Sequence, residues 1–177
     1  MGQLSNVKKS NELVQASYKL SLIGQRVFIL LLTKIDTNKP LKDAYTITSK
    51  EYSDTYGVNL KNAYRDLEKG ISELYDTDIR IRNQTLQLIR RKRIADEAVY
   101  YYGEGKVSIS FPASMAPHLC EFKNCYTWYK IGQVSNLKSG YSVRLYELLI
   151  QFRKTGDRCI SVENFRKWLG LEAKHVM

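Results

Sequence analysis

Apolar positions along this chain switch between the spacing of helices and the alternation of strands, and the order of the switches predicts the elements. Ser10 or Asn11 can cap a short helix that carries Leu13, Val14 and Ala16 and ends near Leu20. A second helix over 21–35 is apolar on nearly every face through its centre, as expected of a helix buried in a core. Turn-rich residues at 36–40 precede a strand over 44–47. Thr48 and Glu51 then have the T-x-x-E spacing of a capping box, opening a helix through Tyr56 that Gly57 stops. After a turn at Val58 and Asn59, Leu60, Tyr64, Leu67, Ile71 and Leu74 recur at steps of three and four. They predict a long helix with that stripe facing the core. Strict alternation over 78–82, a tight turn at Asn83 and Gln84, and a strand over 85–94 predict a hairpin. A second strand pair, 100–102 and 106–111, surrounds Gly103 and Gly105 and is closed by Pro112. Beyond it the pattern predicts a short helix over 113–120, a strand over 126–131 and an apolar helix over 143–153.

Part of this order occurs twice. ITSKEYSDTYGV at 47–58 recurs without a gap as ISVENFRKWLGL at 160–171, each reading as strand, cap, short helix and glycine stop. Upstream of each lies an apolar helix, RVFILLL at 26–32 and RLYELLI at 144–150. The first copy continues into the long helix and the hairpin over 78–94, which completes a winged helix-turn-helix with that hairpin as the wing. The second copy stops before a recognition helix. The expected fold is therefore α+β: one complete winged-helix domain over 1–138, then the first helix, strand and second helix of another over 139–177. The polar stretch 133–140 is the expected boundary. In this division the apolar face of helix 143–153, with Leu145, Leu148, Leu149 and Phe152, needs cover from the first domain or from a second copy, so a homodimer is expected.

Charge narrows the function. Lys and Arg number 28 against 18 Asp and Glu, a formal net charge of +10 that favours a polyanionic partner. A helix in the major groove needs donors near its amino end, on the face opposite the core stripe. Asn59, Lys61, Asn62, Arg65 and Lys69 meet that condition, and amide and guanidinium side chains can pair with base edges. Between Ile79 and Ala95 the hairpin adds Arg80, Arg82, Arg90, Arg91, Lys92 and Arg93 with no acidic residue. Like charges so close repel unless phosphates relieve them. Alternation puts Arg80 and Arg82 on one face, whereas the run 90–93 presents charge on both.

Other chemistries find little support. Tyrosines number 13, which raises a nicking or recombining enzyme, but with His118 and His175 as the only histidines there is no His-x-His pair. A P-loop, a paired carboxylate cluster and a nucleophile elbow are also missing, so neither catalysis nor a cofactor is expected. Tyr100, Tyr101 and Tyr102 suit a sheet better than a stacking platform for single strands. Cys120, Cys125 and Cys159 lack framework spacing. For Cys120 and Cys125, with His118 nearby, the expected arrangement is buried thiols beside a loop histidine, not a metal site. The longest apolar run, 27–32, cannot span a bilayer, and Lys8, Lys9, Asn11 and Glu12 break any signal-peptide pattern, so a cytoplasmic protein is expected.

Two stretches at opposite ends of the chain, KSNELVQASYKLSL at 9–22 followed by Gln25 and Arg26, and SGYSVRLYELL at 139–149, resemble the replication initiator proteins of iteron-containing, theta-replicating bacterial plasmids. The strand and glycine turn behind the second stretch, at 160–162 and 169–171, extend the resemblance. It implies two tandem winged-helix domains that bind direct repeats in origin duplex DNA as a monomer and repress the initiator's promoter as a dimer. It also implies host partners, namely the host initiator and the replicative helicase. Carried onto this chain, 59–69 becomes the first recognition helix and 80–93 its wing. The competing readings are a winged-helix transcriptional repressor unconnected with replication and a protein-interaction module whose basic hairpin contacts acidic surfaces.

Overall fold

The computed structural model describes residues 5–83, 85–122 and 125–171. Its centre is helix α2 (Leu22–Leu32), whose residues from Val27 to Leu32 are all buried. Ser21 caps α2 by accepting from the Gly24 amide at 3.1 Å. Strand β2 (Tyr45–Thr48) leads into α3 (Ser49–Tyr56) through the expected capping box. Thr48 Oγ1 accepts from the Glu51 amide at 3.2 Å, and Glu51 accepts from the Thr48 amide at 2.8 Å. Gly57 closes α3 at φ 64°, a left-handed conformation that glycine adopts without steric cost. Helix α4 (Leu60–Asp76) follows and packs on α2 and α3, burying Ala63, Leu67, Gly70, Ile71 and Leu74.

The α2–α4 crossing is close because Gly70 has no side chain. A Cβ there would lie 2.9 Å from Val27 Cβ. Gly70→Ala is therefore expected to lower stability by about 1–3 kcal/mol through overpacking, although alanine is the better helix former. An unchanged or raised thermal midpoint would count against so tight a crossing.

Two hairpins follow α4. β3 (Asp78–Asn83) pairs with β4 (Leu88–Arg93), and β5 (Glu97–Tyr101) pairs with β6 (Lys106–Ser110). The sheet of the winged helix is antiparallel with strand order β2-β6-β5, and Ile47 lies opposite Val107. The wing is thus β5–β6, not the basic β3–β4 pair expected from the sequence. The physical reason lies in the strands. Val107, Ser108 and Ile109 of β6 are buried on both faces, as a central strand requires, whereas β4 carries cations on both faces and can only stand at a margin. The Gly105 carbonyl accepts from the Ser49 amide and hydroxyl at 2.8 and 3.0 Å, tying the wing turn to the start of α3.

At the amino end, strand β1 (Asn6–Ser10) was not foreseen. It precedes helix α1 (Asn11–Val14), which Ser10 caps, so the expected helix to Leu20 stops six residues early. The chain then turns extended, and Ser17 exchanges two backbone hydrogen bonds with Arg80, at 2.8 and 2.9 Å. β1 pairs with β7 (Tyr126–Lys130), which lies beyond helix α5 (Ala116–Leu119). Two further expectations need correction. Leu60 is 55% exposed, its place on the core side being taken by Ala63. The β3–β4 turn spans four residues and not two, since Asn83 lies opposite Leu88.

Helix α6 (Gly140–Ile150) packs on α2 and β7. The stretch before it is not a loose tether, because Val134 and Ser135 are buried. Within an otherwise apolar face α6 carries Arg144 and Glu147, both fully buried, and they meet Lys9, which is 1% exposed. Lys9 Nζ and the Tyr129 hydroxyl each donate to Glu147 Oε1 at 2.6 Å, and Arg144 donates to Oε2 at 3.2 Å. Arg144 also donates to the Tyr18 hydroxyl and to the carbonyls of Val14, Ala16 and Trp168. Burial alone would raise the Glu147 carboxyl, but Lys9 and Arg144 hold it below its ordinary range.

The second copy of the repeat yields α7 (Val162–Trp168), capped by Ser161, without the strand expected at 160–162. Among the described residues that segment has no strand to pair with. Leu169 and Leu148 are buried against Val14, with Phe165 and Trp168 packed beside them, so α7 rests on the first unit. Leu145 and Leu149, by contrast, remain exposed. Among the described residues no helix is long and apolar enough to cross a membrane.

Candidate nucleic-acid interface

The outward side of α4 is built by helical spacing. Lys61, Arg65 and Lys69 stand at steps of four and Asn62 lies beside them, all exposed and opposite the buried stripe. Asp66 and Glu68 are only half-exposed. Asn59 serves first as the N-cap, its Oδ1 accepting from the Lys61 amide at 2.9 Å, so only its amide donors remain for a ligand. The turn that presents this end is braced by Ser53, which donates to the Val58 carbonyl at 2.7 Å, and by Tyr56, which donates to the Arg26 carbonyl at 2.7 Å.

The six cations of β3–β4 lie beyond the other end of α4. Asp76 is about 22 Å along the helix axis from Lys61, so the structure forms two groups and not one continuous cluster. Register divides the hairpin as alternation predicts. Arg80, Arg82, Arg91 and Arg93 share the outer face, whereas Arg90 and Lys92 share the inner face with buried Ile79 and Ile81. Part of the crowding is relieved within the chain. Asp78, one residue outside the acid-free window, pairs with both Arg91 and Arg93. Arg93 also donates to the Tyr75 carbonyl at 2.7 Å, where it satisfies the last turn of α4.

On the inner face, Lys92 donates to the Ser114 carbonyl and contacts His118 Nε2, both at 2.9 Å. His118 is 2% exposed, with Nδ1 at 3.1 Å from the Ser10 hydroxyl and 3.6 Å from the Glu12 carboxylate. It lies in α5 and not in a loop. Cys120 is buried and Cys125 exposed, so the expectation of buried thiols holds for one of the two.

Burial, reinforced by Lys92 and Arg90, pushes the His118 pKa from 6.5 down to about 4. The folded form keeps the ring neutral, while the unfolded chain takes up a proton near 6.5. Stability from this site is therefore complete above that pH and is lost as pH falls towards 4, by up to about 3 kcal/mol. Urea midpoints measured across this window are expected to fall more steeply for the unsubstituted chain than for His118→Gln. Equal slopes would mean the histidine is not the group responsible.

The wing carries little charge for DNA. Its tip holds Tyr102, 84% exposed, and Glu104, which pairs with Lys106 at 2.5 Å. The sequence predicts this strand pair around Gly103 and Gly105, but the charge of β3–β4 drew the wing assignment to that hairpin instead.

A helix-turn-helix with an antiparallel wing and an exposed, donor-bearing second helix defines a winged-helix protein of the DNA-binding kind. The chain belongs to the family described as Initiator Replication protein, WH1, which it matches over residues 6–150. It is 26% identical over 163 residues to an uncharacterised 27.6 kDa protein of Escherichia coli, covering 85% of this chain and 68% of that one. Among solved structures it resembles the Pi initiator protein crystallised in complex with iteron DNA, with a TM-score of 0.80 and 21% identity. That match covers 96% of this chain and 74% of that one. The WH1 domain of the replication protein MSBI1.176 overlaps 55% of this chain and 78% of its own, at 20% identity and a TM-score of 0.44.

Proposed function

We propose that this replication initiator binds the direct repeats of a plasmid origin as duplex DNA, with α4 in the major groove and β3–β4 on the phosphate backbone. The observation that carries the reading is the exposed face of α4, where Lys61, Asn62, Arg65 and Lys69 stand together opposite the core. The iteron complex of the Pi initiator protein, a relative in fold, supports the choice of ligand. Arg80, Arg82 and Arg90 are the hairpin cations assigned to phosphate. Arg91 and Arg93 act mainly through Asp78 and α4, and Lys92 through His118 and Ser114.

The protein acts without catalysis, in the cytoplasm, and its further partners are the host initiator and the replicative helicase. A second copy covers the exposed Leu145 and Leu149 of α6, and the dimer represses the initiator's own promoter. The first domain is best taken to run through α6 instead of ending at 138, since α6 shares its core and its buried charges.

Fluorescence anisotropy with duplexes carrying the upstream repeats or a scrambled sequence, titrated across salt, tests the reading. Salt-sensitive binding that prefers the repeats is expected. Binding with no preference would reduce α4 to backbone contact, and no binding even at low salt would reject the interface.

A further inference from the structure

A cleft of about 620 Å³ separates the inner face of β3–β4 from α7, within the size range of small-ligand sites. The hairpin wall holds Ile81, Arg90 and Lys92 together with Arg80 and Arg82 at its edge, and the other wall holds Asn164, Lys167 and Trp168. Arg90 and Lys92 differ from Arg91 and Arg93 in how they are balanced. Asp78 is occupied by Arg91 and Arg93 on the far side of the hairpin, leaving Arg90 without a carboxylate partner among the described residues. Both close hydrogen-bond partners of Lys92, the Ser114 carbonyl and the neutral His118 ring, carry no charge. Lys167 pairs with Glu163 at the mouth, and Glu12 is the acid on the rim.

We propose that this cleft binds a phosphate group, supplied by a free nucleotide or by a DNA backbone, between Arg90 and Lys92 of the hairpin and Lys167 of α7. Concave walls concentrate the field of the cations that line them. The amide of Asn164 and the hydroxyl of Ser17 add neutral donors that suit the several acceptor oxygens of a phosphate better than a single carboxylate. Burial first, and then repulsion from Arg90, lowers the pKa of Lys92, against the opposing pull of Glu12 on the rim. Trp168 and Ile81 provide apolar surface beside the cations, enough for the remainder of a nucleotide. A phosphate seated here would join the two units, because its ligands come from β4 on one side and α7 on the other. The inference extends the proposed reading by giving the inner face of the hairpin a ligand of its own, apart from the α4 surface.

The chain has two tryptophans, so Trp128→Phe leaves Trp168 as sole reporter. Inorganic pyrophosphate at low ionic strength is expected to change its emission saturably. Arg90→Gln should weaken that response about tenfold, whereas Lys50→Gln, which removes an equal charge from exposed α3, should not. Calorimetric titration of the unsubstituted chain, Arg90→Gln and Lys50→Gln repeats the comparison without the tryptophan change. A silent pyrophosphate titration with a duplex response that Lys167→Gln weakens as well as Arg90→Gln would keep the site and identify the backbone as its source, whereas weakening by Arg90→Gln alone would overturn the proposal. A pyrophosphate response in a chain that binds no duplex would keep the site and reject the origin-binding reading. Equal effects of the Arg90 and Lys50 changes, or no saturable response to either ligand, would overturn the proposal.

Discussion

Replacing Glu147 with leucine is expected to destabilise the fold by about 3–5 kcal/mol, the cost of leaving buried cations without their counter-charge. Lys9 and Arg144 are 1% and 2% exposed, and neither can reach water when the carboxylate is gone. The Tyr129 hydroxyl, which donates to the same oxygen at 2.6 Å, would be orphaned as well. Arg144 would keep its three backbone carbonyls and Tyr18, so Lys9 should account for most of the loss. It follows that Lys9→Met combined with Glu147→Leu should recover part of the stability, because the desolvation cost of the lysine leaves with it. Urea unfolding of the full chain measures both. A single variant within about 1 kcal/mol of the unsubstituted chain would show that the carboxylate does not hold these cations. The network also explains why α7 lies where it does, since Arg144 reaches the Trp168 carbonyl across the seam between the two units.

Local signals carried the elements whose causes are local. The capping box at Thr48 and Glu51, the left-handed stop at Gly57 and the stripe of Leu67, Ile71 and Leu74 each depend on neighbours within a turn or two, and each stands as expected. What escaped was pairing at a distance. Nothing within β3–β4 states that β6 will take the place beside β2, although the burial of Val107 and Ile109 on a strand with small Ser108 between them is the reason it does. β1 escaped for the same reason, since its partner β7 lies about 120 residues away along the chain and its own run, NVKKS, reads as polar. Lys9 within that run is legible only beside Arg144 and Glu147, two charges at i and i+3 inside an apolar helix. At the candidate interface, composition located the cations but not their balance. Asp78 sits just outside the basic block and pairs with Arg91 and Arg93 on its outer face, a fact that register reveals and charge counting does not.

The separation of the α4 face from the hairpin makes the two sets of residues distinguishable in DNA binding. Arg65→Ala and Asn62→Ala are each expected to cost about 1–3 kcal/mol on the preferred repeat and little on scrambled duplex, because a side chain near the amino end of a groove helix reads base edges. Arg80→Ala with Arg82→Ala is expected to weaken every duplex alike and to reduce the slope of log affinity against log salt by about 2, one for each phosphate that is no longer neutralised. Arg91 and Arg93 are unsuited to this test. Their removal would also leave Asp78 unpaired and the Tyr75 carbonyl unsatisfied, mixing a stability loss into the binding measurement. Anisotropy titrations of each variant on both duplexes, at several salt concentrations, separate the two roles. If the Arg65 and Asn62 changes weaken both duplexes equally, α4 holds the backbone and discrimination between sequences must come from another surface. If the Arg80 and Arg82 changes leave the salt slope unaltered, the outer face of the hairpin does not touch phosphate, whatever its charge.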